Sequence, residues 1–289
     1  MSRTEHARLH FPDAMLGAGI VMAVERDTRG VALRAADRFN YYPASPFPVV
    51  SWIFEGELRM VVDPHGASAP ALGPALPRVT FSGPHRLPAA SWSPGPVHAL
   101  SVSFFPEFLG KLWGLRHTAF LNQTLALAAV APPAVDDACQ RMLNNAGAQA
   151  FQQLQELLLQ ARAEMGHAEF NGPSVMAWLK SLAVRAALSQ PGAGMRQVQR
   201  AMKNWTGQSH RELKLYARTE EVLARIAQWP PDARPAWAGL ASETGFSDQS
   251  HLVREVRRIT GVAPNRLYQM MREDEAFWLY RLLRNHHRA

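Results

Sequence analysis

A single cysteine, Cys139, stands in 289 residues, which excludes an internal disulfide and any zinc site built from several thiolates. No run approaches the roughly 20 consecutive apolar residues that cross a bilayer. The amino-terminal MSRTEHARLHFPDAM has no apolar core ahead of a small-residue cleavage site. These absences predict no membrane partner and a cytoplasmic location, whose reducing conditions suit one free thiol. Acidic residues are scarce in one part of the chain only. Residues 174–289 hold 18 Lys and Arg against 10 Asp and Glu, a net of +8, whereas residues 1–173 hold 13 against 14. A basic surface concentrated on one compact module is the footprint of a polyanion-binding domain, and also the composition of a merely solvated basic face.

Length predicts about two domains, and the pattern along the chain divides it into three sections. Residues 1–130 are rich in Pro and Gly and carry short β-type runs, PVVSWIFEG (Pro48 to Gly56), RVTFSG (Arg78 to Gly83) and HALSVSFF (His98 to Phe105), between turn clusters. This reads as an antiparallel β domain, sandwich or barrel. Over 131–170 the pattern turns helical, with Asp136 and Asp137 placed at a helix start and Met142, Leu143, Ala146, Ala150, Phe151, Leu154, Leu157 and Leu158 at helical spacing. This segment, including FQQLQELLLQARAEM (Phe151 to Met165), either pairs with a second copy in a homodimer or packs on the β domain. Over 171–289 the chain reads as helices joined by short turns. The expected fold class is α+β with several domains: a β domain, a helical linker and an all-α domain.

The all-α section contains an internal repeat. Sliding the chain along itself until Met195 meets Gln249 lays Met195–Leu213 on Gln249–Leu267, matching Arg200 with Arg254, Lys203 with Arg257, Thr206 with Thr260, Gly207 with Gly261 and Leu213 with Leu267. In the second copy AWAGLASETGF (Ala236 to Phe246) forms a short helix buried through Trp237, Leu240 and Ala241. Gly245 suits the left-handed residue that ends it. Ser247 or Asp248 then caps a second helix whose core stripe is Leu252, Val256 and Ile259. Two helices joined by a short turn containing Gly form a helix-turn-helix. The opposite face of the second helix carries Gln249, Ser250, His251, Arg254, Arg257 and Arg258, with the more polar set near its N-terminal end, where such helices reach bases. Lys203, Lys214, Arg257 and Arg258 are assigned to phosphates, which add affinity without sequence information. Arg218 and Arg272, at equivalent positions, are assigned to clamping helix ends or acids.

The stretch GFSDQSHLVREVRRITGVAP (Gly245 to Pro264) resembles the second helix-turn-helix of the AraC/XylS family of bacterial transcription regulators. The likeness is strong over Ala236 to Arg272 and extends to Arg196 to Arg225. The first copy departs from the family pattern at Gly194, His210 and the turn SQPGAG. The resemblance implies a monomer that carries two recognition helices, reading double-stranded DNA in adjacent major grooves about 34 Å apart. Base-facing positions then fall on Arg196, Gln199 and Arg200 in the first unit and on Gln249, Ser250, His251 and Arg254 in the second. It further implies a cupin-like N-terminal domain that senses a small-molecule effector or oligomerises, and a contact with RNA polymerase.

Tyr41, Tyr42, Trp52, Phe54, Phe81 and Trp92 either line a pocket for an apolar effector or fill the β core. His65, His85, His98 and His117 lack the paired spacing of a metal-binding cupin, so no metal, cofactor or catalytic group is expected. Two other classes stay open. An alkyl-transfer enzyme fused to a DNA-binding module would need a reactive Cys139, whose thiolate the neighbouring Asp136 and Asp137 disfavour. An architectural module would lack base readout.

Overall fold

The computed structural model describes residues 6–64, 71–163, 174–189, 194–229 and 235–286. Among the described residues nine strands precede the first α-helix: β1 (Ala7–His10), β2 (Ile20–Asp27), β3 (Phe39–Tyr42), β4 (Val49–Glu55), β5 (Arg59–Val62), β6 (Ala71–Ala75), β7 (Val79–Ser82), β8 (Ala89–Trp92) and β9 (His98–Phe104). Then come α1 (Pro106–Trp113), β10 (Thr124–Ala126), α2 (Pro133–Arg141) and α3 (Ala148–Ala163). The helical half comprises α4 (Val175–Leu188), α5 (Met195–Thr206), α6 (His210–Gln228), α7 (Trp237–Glu243), α8 (Gln249–Thr260), α9 (Pro264–Glu273) and α10 (Trp278–His286). The strands form a six-stranded sheet, β1-β2-β9-β4-β7-β10, and a four-stranded sheet, β3-β8-β5-β6, with neighbouring strands antiparallel. The α+β class with an antiparallel first half and a helical second half is the one expected.

Alternation along the central strands decides where mass lies in the β half. Side chains of successive residues point to opposite faces. Val50 and Trp52 of β4, Val79 and Phe81 of β7, and Leu100, Val102 and Phe104 of β9 share one face and are buried with Leu109, Cys139, Met142, Phe151, Leu154 and Leu158 of α1, α2 and α3 and their connections. The other face carries Val49, Ser51, Thr80, Ser82, Ala99, Ser101 and Ser103, which line a cavity with residues of the second sheet. Large residues thus pack under the helices while small ones face the space between the sheets. The α3 stripe Phe151, Leu154 and Leu158 is buried against this sheet, and Leu157 stays exposed.

The two halves share a core. Val21, Ala44, Phe47 and Phe105 of the β half bury together with Trp178, Leu179 and Leu182 of α4, Val198 and Met202 of α5, Leu213 and Tyr216 of α6, and Ile259 of α8. Trp178 lies edge-on to Phe47 and stacks on Phe105. Its indole N–H donates to Glu107 at 3.0 Å, and Glu107 also takes an ion pair from Arg185. Helix α10 lies in the section expected to be helical, but its packing on the β half has no counterpart among the sequence expectations. This helix crosses back to β1 and β3, burying Trp278 and Leu282 with Ala7, and the Trp278 indole donates to Asn40 at 2.8 Å. The backbone of α10 runs as far as His286; residues 287–289 lie outside the described residues.

Candidate nucleic-acid interface and effector cavity

The internal repeat returns as two matching local structures. Helices α5 and α8 each span 12 residues and each end on a glycine in the left-handed region, Gly207 at φ 76° and Gly261 at φ 81°. Each cap N–H bonds at 2.8 Å to the carbonyl one turn back, on Lys203 and on Arg257. Thr206 Oγ1 donates to Met202 O at 2.8 Å and to Gln208 O at 3.1 Å, and Thr260 Oγ1 repeats this toward Val256 O at 2.8 Å and Val262 O at 3.0 Å. A Cβ at Gly207 would lie 3.0 Å from Thr118 N and 3.1 Å from His117 C, tighter than an ordinary contact, so the close approach of the first unit to the β half favours glycine here in addition to its φ. The N-caps differ. Asp248 accepts the His251 N–H at 2.7 Å, whereas Gly194 has no side chain and its own N–H donates to Gln197 Oε1 at 3.0 Å. Gly245 closes α7 at φ 75°, as expected of it. The turn of the first unit between 190 and 193 lies outside the described residues.

The buried stripes, Val198, Ala201 and Met202 in α5 and Leu252, Val256 and Ile259 in α8, leave the other face to solvent. Arg196, Gln199, Arg200 and Lys203 are exposed on α5, and Gln249, Ser250, Arg254, Arg257 and Arg258 on α8; Lys214 is exposed on α6. His251 departs from this set. It is half-buried, lies edge-on to Phe246 at 5.3 Å, and its Nδ1 faces Ser247 Oγ at 3.1 Å. The structure therefore turns the ring back onto the helix-turn-helix bend, away from the row of exposed donors. Arg218 lies over the ring of Phe246 at 5.7 Å and Arg272 over that of Tyr268 at 5.5 Å. The two equivalent arginines thus share a role the sequence did not suggest, bracing aromatic rings.

The cavity between the sheets measures about 530 Å³, within the range of small-molecule sites. Hydroxyls line one wall in mutually bonded pairs, Ser51 with Ser101 at 2.8 Å and Ser82 with Thr124 at 2.9 Å, so they need no ligand to be satisfied. Tyr216, Thr219, Glu220 and Leu223 of α6 and Trp278, Leu279 and Leu283 of α10 complete the wall. The aromatic pocket expectation is corrected here, since only Tyr42 of the six lines this cavity. Trp52 and Phe81 are fully buried under the helices with Phe54 against them, Tyr41 stacks on Phe277 at 4.8 Å, and Trp92 alternates with cavity-facing Ser91 and so points the other way. The missed signal was the run of small residues at alternate positions, Ser51, Ala99, Ser101 and Ser103.

Glu220 sits where this cavity meets α4. It accepts the Val175 N–H at 2.8 Å, capping that helix, and burial, reinforced by the neighbouring Glu221, pushes its carboxyl up to about 7. A carboxyl raised in the folded state holds its proton there after the unfolded chain has lost its own. Its stabilising contribution is therefore complete below the ordinary carboxylate range and is lost as pH rises through about 7. Glu220→Gln removes that loss. The melting temperature of the variant relative to wild type is expected to rise between pH 5 and pH 8 by about 2–4 °C, the weight of roughly 1 kcal/mol in a chain of this size. A pH-independent difference in thermal scans would contradict the assignment.

The cysteine and the described candidate histidines are held by burial and internal hydrogen bonds. Cys139 is buried in the β-half core, and burial pushes its thiol up to about 12, so it does not supply the thiolate that an alkyl-transfer role needs. His98 and His10 both bond Glu25, at 2.8 and 2.9 Å. His117 is buried and bonds Pro106 O, burial holding its ring below the usual imidazole range. Burial lowers His85 in the same way. His65 lies outside the described residues. Among the described residues no cluster of three or more His, Cys, Asp or Glu is placed to hold a metal ion, and no helix is long and apolar enough to cross a membrane.

No family model and no curated protein matches the sequence. Among solved structures the chain is similar to ToxT from Vibrio cholerae. An apo single-site variant of ToxT shares 11% identity at a TM-score of 0.37, covering 86% of this chain and 97% of that one. Another ToxT structure shares 10% at 0.35, covering 81% and 98%. Wild-type ToxT bound to an unsaturated fatty acid shares 12% at 0.33, covering 80% and 94%.

Proposed function

We propose that the chain is a sequence-specific DNA-binding transcriptional regulator of the AraC type, with an effector site for a small, largely apolar molecule between its two sheets. The observation that carries this reading is the duplicated unit. Two helices with matching C-terminal caps and hydroxyl bonds each bury one stripe and expose guanidinium and amide groups on the other side. Arg196, Arg200, Lys203, Arg254 and Arg257 have no ion-pair partner among the described residues, so their donors are available to bases and phosphates. Arg196, Gln199, Arg200, Gln249, Ser250 and Arg254 are the base-reading set. Lys203, Lys214, Arg257 and Arg258 hold phosphates. The cavity supports the sensing half of the reading, because its walls come from both halves of the chain and a molecule filling it would touch α6 and α10 as well as the sheets.

Selection of bound duplexes from random DNA, repeated with and without a pool of apolar compounds, tests both halves of the proposal. Enrichment of one motif spanning two adjacent major grooves is expected, with its occupancy shifted by a compound. Ser101→Phe, which fills the cavity from β9, is expected to keep the motif and abolish the shift. Binding without enrichment of any motif would instead favour an architectural role.

A further inference from the structure

We infer that Met195 reads a thymine by packing its thioether side chain on the C5 methyl group in the major groove, an assignment that rests on the regulator reading above. Met195 is the first residue of α5 and is 70% exposed, an unusual position for a large apolar side chain. Its repeat partner is Gln249, the first residue of α8 and likewise exposed, so the two units differ here by an apolar group in place of an amide. Side chains at the start of a helix lean toward its N-terminus, the end that recognition helices present to base edges. Met195 stands one turn before Gln199 on the same side of α5 and is followed by Arg196, with Arg200 a turn further on; all three are exposed.

The cap next to it fits a close approach. Gly194 carries no side chain, and a Cβ placed there would meet nothing within 4 Å, whereas the second unit has the carboxylate of Asp248 at this point. A phosphate can come closer to the first helix than to the second, and Met195 follows it into the groove. Of the four bases only thymine offers a methyl group at the major-groove edge. An apolar side chain among donors therefore distinguishes thymine from cytosine without a hydrogen bond.

The test uses the full chain and its selected duplex, with each thymine replaced singly by uracil, which removes the C5 methyl and nothing else. One position in the first half-site is expected to lose about three- to fivefold in affinity, the weight of one methyl group taken out of water. Met195→Ala should bind the thymine and uracil duplexes equally, and Met195→Leu should restore part of the discrimination. A purely structural Met195 would instead lower the melting temperature of the variant and weaken all duplexes alike, overturning the assignment. Discrimination that survives in Met195→Ala would do the same. So would intact DNA recognition with lost promoter activity, which would give Met195, with exposed Val184 and Leu188 of α4, to a protein-docking surface. If random-DNA selection yields no motif, the regulator reading itself fails; a motif without any uracil effect removes only the role of Met195.

Discussion

Arg254→Ala is expected to weaken the selected duplex by about 5- to 150-fold, while binding to scrambled DNA falls no more than about threefold. The first range corresponds to the roughly 1–3 kcal/mol that a bidentate arginine contributes against the wrong base. The second is the loss of one charge among several that act on phosphates alone. Arg200→Ala is expected to behave the same way, since Arg200 holds the equivalent exposed place on α5. The two helices belong to separate half-sites, so the double variant should lose the sum of the two free energies within about 0.5 kcal/mol. Lys203→Ala and Arg257→Ala give the contrasting result, weakening specific and scrambled duplexes alike and lowering the salt slope by about 1 each. Fluorescence anisotropy at several salt concentrations separates the two groups. Equal losses of Arg254→Ala on both duplexes would place that guanidinium on the backbone and remove it from base recognition.

The helical half was readable because its signals are local. A left-handed glycine, a threonine that bonds a carbonyl one turn back and a buried i, i+4, i+7 stripe all act within a turn or two, and their recurrence in a second copy leaves a trace that no long-range contact can blur. The strands β4, β7 and β9 were legible for the same reason. The cavity was less so. Aromatic residues in strands mark burial without saying which face they occupy, and here the face packed under α1, α2 and α3 took Trp52 and Phe81. The hollow side was written in serine and alanine, residues that read as neutral in a strand. The docking of α10 was not legible because its partners, β1 and β3, lie near the opposite end of the chain, and Trp278 finds Asn40 only once the chain has folded. His251 shows the limit within a motif. Spacing places it in the row of donors, but Phe246 beneath it offers a ring edge and Ser247 a hydroxyl, and the imidazole takes both.

Trp178→Ala is expected to cost about 3–5 kcal/mol, lower the melting temperature by roughly 10 °C or more, and split one thermal transition into two. Trp178 is fully buried at the seam between the halves, where its ring bridges Phe47 and Phe105 of the β half to α4. Removing it opens a void large enough that the surrounding side chains collapse only in part. It also strips Glu107, 7% exposed, of its indole donor and leaves Arg185 as its partner at the seam, which adds the penalty of an under-satisfied buried carboxylate. Trp178→Phe separates these contributions in large part, since a phenyl ring keeps most of the packing, gives up a small part of the ring volume and loses the N–H. A drop of about 1–2 kcal/mol is expected for it, the weight of one buried acceptor left short of a donor, with the single transition retained. Calorimetry reads the outcome directly. A total stability of about 5–15 kcal/mol gives the alanine variant little margin, so the half with fewer remaining contacts melts first. The coupling this seam provides is what would let a molecule in the cavity act on the DNA-reading helices, because α4 packs on the β half through Trp178 and on α5 through the same core. One transition with a nearly unchanged midpoint in Trp178→Ala would mean that the halves are held together elsewhere, through the Arg26–Glu275 pair at 2.7 Å and the α10 strap, and the route from cavity to DNA would then run through the C-terminal helix.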